Sequence, residues 1–492
     1  MLFNSYAFIF AFLPATFFVY FYLNSKRLTT AAKAWLVLTS LFFYSWWNVA
    51  YLPLILMSIL VNYTIANKMI KYNKSEINLV SKKRFFQIGL FFNVGLLAYF
   101  KYMDFFISNT NILFNTNIEL LNLALPLAIS FFTLQQIAFL IDSYEGLIEE
   151  NKFLTYSLFV TFFPQLIAGP IVHHKEMIPQ FFSAKNKVKN YRNIAIGLFV
   201  FSLGLFKKVV VADTFAGWAN TGFDTATTLN LFEAWATSLS YTFQLYFDFS
   251  GYMDMAMGAA LLFNIKLPRN FNSPYKATGM IDYWNRWHIT LSVFITTYIY
   301  TPILRSFKRA SFGKAMTVTI AAFLISGIWH GAHWMFVFWG LLHGLGVVIN
   351  HYWRKKIKIK IHKGLAWFIT FNFINMTLVI FRAKEWDDAI KVLSAMFSLD
   401  YVVLPARLYK YFPTLTDYGV AFDTLAKNIG GDAQNVILAL LIAFIAVLGF
   451  ENVTYIIDNF KKTYKSIVLA GLAFFFGVLS LNAPSDFLYF NF

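Results

Sequence analysis

Cysteine is absent from this sequence of 492 residues. Without thiols the chain forms no disulfide, no cysteine-ligated zinc site and no iron–sulfur cluster, and it cannot carry a thioester intermediate on its own residues. Charge is also scarce, because Asp, Glu, Lys and Arg together make up only 13% of the residues. That fraction is about half of what a soluble domain carries, so the composition excludes an ordinary soluble enzyme.

Acidic residues are the scarcer of the two signs of charge, with 24 against 41 basic residues and a net charge of +17. The basic residues cluster in short segments between apolar runs. These segments are 26–27, 82–84, 185–189, 305–309 and 354–356. Cytoplasmic loops of membrane proteins show this enrichment, so we interpret the excess as a sign of topology and of contact with anionic headgroups of inner-membrane lipid. It does not indicate binding to nucleic acid.

Hydrophobic residues make up 58% of the chain, and the mean hydropathy is +0.57. Apolar runs recur along the whole sequence and predict an all-α, polytopic integral membrane protein with roughly 11–13 membrane helices. We expect a single domain over residues 1–492, with a catalytic core at about 85–400 and peripheral helices at 1–70 and 434–482. The apolar stretch 1–23 lacks a basic start and a cleavage site, so it is expected to be a retained helix.

One run, residues 315–353, contains no Lys, Arg, Asp or Glu. It is too long for one crossing and has basic segments at both ends, so it predicts two membrane helices joined by a turn near residues 331–334. His330 precedes that turn. An ionisable residue at this depth points to function, and a neutral imidazole can take a proton from a hydroxyl. His330 is therefore the candidate general base, and it is expected to line a cavity rather than to face lipid.

The middle of the chain holds a second polar region, in which carboxylates, prolines and asparagines interrupt the apolar sequence. His288 ends a basic and aromatic segment, 284–288, that could hold an anionic nucleotide or phosphate through charge and stacking. Two carboxylates, Asp248 and Asp254, lie six residues apart in apolar surroundings. The partners considered for them are an imidazole, Arg269 and Arg286. Each carboxylate also has a structural interpretation as a paired or capping residue.

Other histidines receive structural interpretations. His343 lies next to a glycine in an apolar segment and is interpreted as a hydrogen-bonding residue between helices. His173 and His174 lie in a polar loop and are expected to be solvated. A metal site at His330 would need a third ligand, and carboxylates are scarce nearby, so no metal is expected.

Several short motifs follow one another through most of the chain. They occupy residues 125–135, 163–171, 206–213, 246–252, 270–275, 284–288, 329–331, 339–344 and 381–383. In this order they resemble the membrane-bound O-acyltransferase family, and within it the bacterial membrane components that O-acetylate alginate and peptidoglycan. The D-alanyl transfer protein of teichoic acid synthesis is a more distant relative. The stretch after Ser292 departs from the alginate-type pattern, because its Arg-Asp pair is missing.

The resemblance implies a ring of membrane helices around a thin centre, with a cytoplasmic funnel that leads towards His330. It implies that His330 matches the catalytic histidine of the family and that His288 matches a second histidine of bacterial members. Combined with the residue-level interpretation, it gives a set of candidate donor-binding and pocket-lining residues. These are Trp329, Trp284, Asn285, Arg286, Trp287, Asp248, Ser250, Asn272 and Gln135.

By the same resemblance, the expected activity is O-acetyl transfer across the bacterial inner membrane. Acetyl-CoA would be the cytoplasmic donor, and the acceptor would be an envelope polysaccharide, with peptidoglycan first and an alginate-like exopolysaccharide second. Transfer would be direct or would pass through a periplasmic acetyl-accepting transferase partner. A transporter or flippase for an acyl-carrying or lipid-linked substrate is the alternative, and a haem- or metal-binding membrane protein is a third class. Release of free CoA distinguishes the enzyme from the transporter.

Overall fold

A computed structural model describes residues 1–75, 79–482 and 487–488 of the chain. Helices dominate the described residues, since only a helix satisfies the backbone hydrogen bonds of an isolated apolar segment within its own length. The α-helices of the first half are α1 Leu13–Ser25, α2 Thr29–Ser45, α3 Leu52–Ser75, α4 Leu79–Leu97, α5 Met103–Phe114, α6 Ile129–Tyr144, α7 Phe153–Thr161, α8 Phe163–Leu166, α9 His174–Phe182, α10 Tyr191–Phe206, α11 Asp213–Asn220 and α12 Leu231–Leu262.

The second half continues with shorter helices around the centre and longer ones outside it. These are α13 Met280–Trp284, α14 Ile289–Ile295, α15 Thr301–Ser306, α16 Phe312–His330, α17 Trp334–Tyr352, α18 Lys363–Arg382, α19 Trp386–Ala395, α20 Ala433–Gly449, α21 Val453–Asp458 and α22 Tyr464–Leu479. Two three-residue strands, β1 Val403–Pro405 and β2 Ala421–Asp423, pair in parallel within the long loop after α19. The prediction of an all-α polytopic protein is confirmed.

Seven helical segments in the described part of the chain are long and apolar enough to cross a membrane. They are Ala7–Ser25, Val49–Lys74, Val80–Phe114, Tyr191–Thr225, Phe312–His330, Trp334–Ile357 and Lys363–Arg382. Two shorter apolar helices, α20 and α22, follow. The sequence predicted roughly 11–13 crossings from its apolar runs, and several of these runs form shorter helices, such as α2 and α6. Two of those runs, 230–247 and 249–265, instead form the single helix α12.

Helix α12 is the central element of the fold and is buried along nearly its whole length. A capping box starts it, in which the Asn230 side chain accepts from the Glu233 backbone and the Glu233 side chain accepts from the Asn230 backbone. It packs closely on α10, because a Cβ on Gly204 would lie 2.6 Å from the Gly251 carbonyl oxygen. Small residues allow such close approach between membrane helices.

The uncharged run 315–353 forms the two helices α16 and α17, and their turn at Gly331–His333 confirms the prediction. Ser311 caps the start of α16 by accepting from the Lys314 amide, and His333 caps α17 by accepting from the Met335 amide. The run therefore places His330 at the far end of α16 from the basic residues. At 1.5 Å per residue, His330 lies about 24 Å along the helix axis from Lys314.

Candidate active site

His330 is the last residue of α16, and only 3% of it is exposed. Its Nδ1 lies 2.7 Å from the Ser326 carbonyl oxygen one turn earlier. A carbonyl only accepts, so Nδ1 carries the proton and donates it. The lone pair of the neutral imidazole is then on Nε2. This tautomer is the one a general base requires, because Nε2 is the atom that can take a proton.

His288 is fully buried directly before α14 and holds a left-handed backbone conformation, with φ at 45°. Such a conformation is uncommon for a residue with a side chain and is found disproportionately at functional sites. Its Nδ1 lies 3.2 Å from Asn270 Oδ1, which also accepts from the backbone amide and the hydroxyl of Thr290. The amide of Asn270 therefore fixes the orientation of the His288 ring, with the Nδ1 proton pointing at Oδ1.

The two histidines are joined by aromatic rings. The Trp329 ring centroid lies 5.0 Å from that of His330 and 6.3 Å from that of His288. On its other side His330 contacts Trp339, at 5.0 Å, and Phe381, at 5.5 Å. These rings exclude lipid and water from the imidazole, so the candidate base lies in apolar surroundings.

Buried polar atoms without a hydrogen-bond partner gather around these rings. In the described part of the chain they include the indole Nε1 of Trp284, Trp329 and Trp339, the Ser326 hydroxyl and His343 Nδ1. Trp339 links the group, since its ring lies 6.0 Å from Trp284 and 4.5 Å from His343. Buried polar groups are satisfied in most folded proteins. Several unsatisfied N–H groups in one place therefore indicate a site that receives a polar ligand.

A cavity of about 290 Å³ approaches His330 from the basic side of the protein. We call it the basic-side cavity, and Trp284, Asn285, Ser292, Thr296, Ser326 and His351 are among its lining residues. Its lining extends from His351, one turn before the basic residues 354–356, to Ser326, one turn before His330. A second cavity of about 290 Å³, the far-side cavity, is lined by Lys101, Asp104, Leu123, Gly331, Ala332 and His333, among others. His330 thus lies between two cavities.

The segment 284–288 divides between the site and the core. Trp284 and Asn285 line the basic-side cavity, as expected of pocket residues. Arg286 is half-buried and makes hydrogen bonds within the protein. Its Nε donates to Asp282 at 2.7 Å, and its Nη1 donates to the Asn272 carbonyl. Trp287 is buried against Tyr283, with parallel rings at 5.8 Å. Stacking of a nucleotide on Trp287 is therefore not available in this arrangement.

The two carboxylates of α12 have partners other than those considered from the sequence. Asp248 Oδ1 lies 2.7 Å from Lys208 Nζ, and its Oδ2 accepts from the Leu488 amide. Asp254 Oδ2 lies 2.7 Å from Lys207 Nζ. The pairing with Arg269 or Arg286 was wrong because the two lysines, 40 or more residues earlier in the sequence, reach α12 from the π-helical turn that follows α10.

The other predicted pocket residues lie in the packed interior. Ser250 is buried on α12, and its hydroxyl lacks a hydrogen-bond partner among the described residues. Asn272 accepts from the Asn452 side chain at 2.6 Å. Gln135 donates to the Phe159 carbonyl at 2.9 Å. These hydrogen bonds give Asn272 and Gln135 a structural role in the interior. A role of either residue in donor binding stays a prediction.

Two site residues were missed by sequence reasoning. Asn270 orients His288, and Lys101 lines the far-side cavity and contacts the end of α16. Asn270 lies in the motif 270–275, which was quoted without a role for its first residue. Lys101 gave no signal, because a lysine at the end of an apolar run normally marks the membrane surface. The structural interpretation of His343 agrees with its bond to Thr377, at 2.8 Å from Nε2 to Oγ1.

Asp142, His173 and His174 form a group that could hold a metal ion, with three ligand atoms within 4.8 Å of one another. The Asp142 carboxylate lies 2.7 Å from His173 Nε2 and 3.0 Å from His174 Nδ1. His173 Nδ1, however, accepts from the Lys175 amide, which places its proton on Nε2. An imidazole that ligates a metal normally donates through its other nitrogen, so this arrangement fits a hydrogen-bonded cluster better. The expectation that His174 is solvated was wrong, because it is buried beside Asp142.

Comparison with known proteins places these features in context. The model of the membrane-bound O-acyltransferase family matches residues 17–383. The chain is 45% identical to a peptidoglycan O-acetyltransferase of Helicobacter pylori, over 100% of this chain and 98% of that protein. It is 33% identical to a probable alginate O-acetylase of Azotobacter vinelandii, over 81% and 78%. It is 28% identical to a teichoic acid D-alanyltransferase of Streptococcus thermophilus, over 52% and 68%. The resemblance drawn from the motifs is confirmed.

Proposed function

Because the chain belongs to the membrane-bound O-acyltransferase family, we propose that this multi-pass enzyme transfers acetyl from cytoplasmic acetyl-CoA to a hydroxyl of an envelope polysaccharide across the bacterial inner membrane. Peptidoglycan is the first acceptor, since the relative named for it matches the whole chain. An alginate-like exopolysaccharide is the second. The observation that carries the proposal is the position of His330 between the basic-side and far-side cavities.

The side of each substrate follows from charge. Basic residues follow α17 and precede α16, and cytoplasmic loops carry such excess. The basic-side cavity is therefore the entry for the donor, whose phosphates suit a basic mouth. The acceptor hydroxyl arrives through the far-side cavity, on the sugar itself or on a periplasmic transferase partner that accepts the acetyl group. The thioester carbon and the hydroxyl then meet at His330.

The chemistry is a direct acyl transfer. Nε2 of His330 takes the proton of the acceptor hydroxyl while that oxygen forms a bond to the thioester carbonyl carbon. The carbon–sulfur bond then breaks, and the thiolate takes the proton from His330 to leave as free CoA. The products are an O-acetyl ester and a thiol, and the histidine is regenerated. The indole N–H groups of Trp284, Trp329 and Trp339 supply buried donors for the negative charge on the carbonyl oxygen.

The test is release of free CoA by the detergent-purified protein, supplied with acetyl-CoA and soluble glycan strands from peptidoglycan. We expect His330→Ala to reduce release by about 10²–10⁴-fold, the contribution of a positioned base. Binding of acetyl-CoA, measured by calorimetry, should remain close to that of the unchanged protein, because the basic-side cavity is intact.

A matched control is His362→Asn, which changes an exposed histidine whose Nδ1 caps α18 by accepting from the Gly364 amide, and which supplies an amide oxygen as the capping acceptor instead. It should release CoA at the original rate. If His330→Ala releases CoA at the original rate, His330 is not the general base. Uptake of labelled acetyl-CoA into vesicles, without release of CoA by the unchanged protein, would instead favour the transporter, for which the comparisons give no support.

A further inference from the structure

The end of α16 creates a hydrogen-bonding problem inside the membrane. The last four carbonyl groups of any α-helix have no donor within their own helix. In α16 these belong to residues 327–330, and the chain leaves the helix at once, because Gly331 is extended. Water caps such carbonyls at the surface of a soluble protein, but within the bilayer each one left unsatisfied is costly. The end that carries His330 therefore needs donors from elsewhere in the fold.

Those donors come from two adjacent residues of one neighbouring segment. Lys101 Nζ donates to the Trp329 carbonyl at 2.6 Å and to the His330 carbonyl at 3.1 Å. The Tyr102 hydroxyl donates to the Ile328 carbonyl at 2.8 Å. Three of the four carbonyls are thus capped from outside α16. A cation at a helix C-terminus also interacts favourably with the helix dipole.

The backbone around Lys101 is adapted to this contact. Residues Ala98–Tyr102 form a π-helical turn between α4 and α5, and such turns occur frequently at functional sites. The third donor of the ammonium is used as well, since Nζ lies 3.3 Å from the Ser130 hydroxyl. An ammonium has three N–H donors, and each has an acceptor here. The lysine is therefore held in one position between α6 and the end of α16.

Lys101 also borders the path of the acceptor. It lines the far-side cavity together with Gly331 and His333, and its Nζ lies 5.8 Å from the Trp329 ring. A cation in apolar protein is expensive and points to function. Here it lies at the backbone of the candidate base and at the wall of the cavity beyond it.

We propose that Lys101 is a positioning residue for acyl transfer, which fixes the end of α16 so that His330 projects between the two cavities. The inference rests on the proposed function, in which His330 is the base. A lysine that only stabilised the helix end would affect the amount of folded protein. A positioning residue affects turnover in protein that is folded and binds donor.

The experiment compares kcat and KM for acetyl-CoA, from CoA release, among full-length variants purified in detergent. Lys101→Met keeps most of the side-chain length without donors or charge, and Lys101→Arg keeps both. Lys83→Met changes an exposed lysine of α4 and is the matched control. We expect Lys101→Met to lower kcat by about 10–100-fold, less than the roughly 10²–10⁴-fold that a positioned base contributes, because the base itself remains. KM should stay within about twofold, since the donor enters through the other cavity.

The kcat of Lys101→Arg should be at least about tenfold higher than that of Lys101→Met, because the guanidinium supplies donors to the same carbonyls. An unchanged kcat in Lys101→Met would overturn the proposal. A decrease in activity of Lys101→Met that only equals its decrease in folded protein, and that Lys101→Arg does not restore, would overturn it as well. If Lys101→Met does not accumulate, Lys101→Gln, whose uncharged amide lies one bond closer to the backbone than the ammonium and so is drawn away from the two carbonyls, is judged by the same criteria. Absence of CoA release from the unchanged protein would instead refute the proposed function itself.

Discussion

The imidazole of His330 contacts the rings of Trp329 and Trp339, whose indole N–H groups are buried without an acceptor among the described residues. Each such group loses its hydrogen bonds to water on folding and recovers none from the described part of the protein. The resulting cost is about 1–3 kcal/mol per group, and several such groups in one place fit a site where a bound ligand provides the acceptor. The acyl oxygen of a thioester is one such acceptor, and its charge grows as the hydroxyl adds.

Trp339→Phe tests this donor, because it removes the Nε1 N–H together with one ring of the indole and keeps an aromatic ring against His330 and His343. We expect kcat to fall by about 10–100-fold, since the loss of one oxyanion donor in other enzymes costs about 10²–10³. Steady-state CoA release measures it. Trp386→Phe, at an exposed tryptophan outside the site, is the control and should leave kcat unchanged. If the two variants have equal kcat, the Trp339 N–H does not stabilise the transition state.

Individual residues also show where sequence reasoning succeeds and where it stops. The position of His330 at a helix end beside the turn could be predicted because charge bounds the run on both sides, and an ionisable side chain there was a candidate for function because it has few structural explanations. Lys101 could not, because its partners are carbonyl oxygens more than 220 residues later, and backbone acceptors leave no mark in a sequence. Asp248 was predicted to line the pocket because the sequence does not show which group a buried carboxylate contacts. A buried carboxylate looks the same whether it faces a ligand or a lysine such as Lys208.

At the scale of elements, the position of His330 depends on how closely α16 and α17 approach. A Cβ on Gly340 would lie 2.5 Å from the Phe323 carbonyl oxygen, and one on Gly327 would collide with the Phe336 carbonyl oxygen. Backbone cannot move aside as a flexible side chain can, so either methyl group would separate the helices. Because Gly327 lies three residues before His330, that separation would reach the imidazole.

Gly327→Ala is therefore expected to lower kcat by about tenfold or more and to reduce thermal stability by a few degrees, as overpacking costs about 1–3 kcal/mol. Gly313→Ala is a matched control in the same helix, because nothing lies within 4 Å of its added Cβ. CoA release and thermal unfolding in detergent are measured for both. If the two glycine variants behave alike, close packing of α16 on α17 does not set the position of the base.

Helix boundaries were harder to predict than helix existence. The turn at Gly331–His333 was located because charge bounds the run on both sides. By contrast, runs 230–247 and 249–265 were separated by counting, although α12 is continuous. A helix of 32 residues is longer than one membrane thickness. Much of α12 nevertheless does not contact lipid, because it packs against α10, α11 and α18. Hydropathy alone does not distinguish a buried helix from two spans.

At the scale of the whole molecule, the two cavities imply two separate routes to one imidazole. The basic-side cavity reaches Ser326 and the far-side cavity begins at Gly331, so the thickness between them is little more than one turn of α16. The part of the protein between the two cavities is therefore a centre that is much thinner than a bilayer. Such a centre allows the acetyl group to change sides without movement of the whole donor through the membrane.

Blocking one route at a time should therefore separate the two substrates. Thr296 is exposed at the basic-side cavity, and Ala332 lines the far-side cavity. Thr296→Trp is expected to raise KM for acetyl-CoA by about tenfold, the effect of roughly 1.4 kcal/mol of lost binding, with little change in kcat at saturating donor. Ala332→Trp is expected to leave acetyl-CoA binding unchanged and to reduce transfer to glycan strands by a similar factor, because the bulky ring obstructs the acceptor alone.

The measurement uses proteoliposomes with glycan strands sealed inside and acetyl-CoA added outside, so that only molecules with the basic side outward turn over. Thr297→Trp, at the exposed neighbour of Thr296, is the control for a surface tryptophan. An increase of KM for acetyl-CoA in both Thr296→Trp and Ala332→Trp would place the two cavities on one route. In that case the donor would have to pass His330 to reach the acceptor, and the thin centre would be a channel for the whole donor rather than a meeting point.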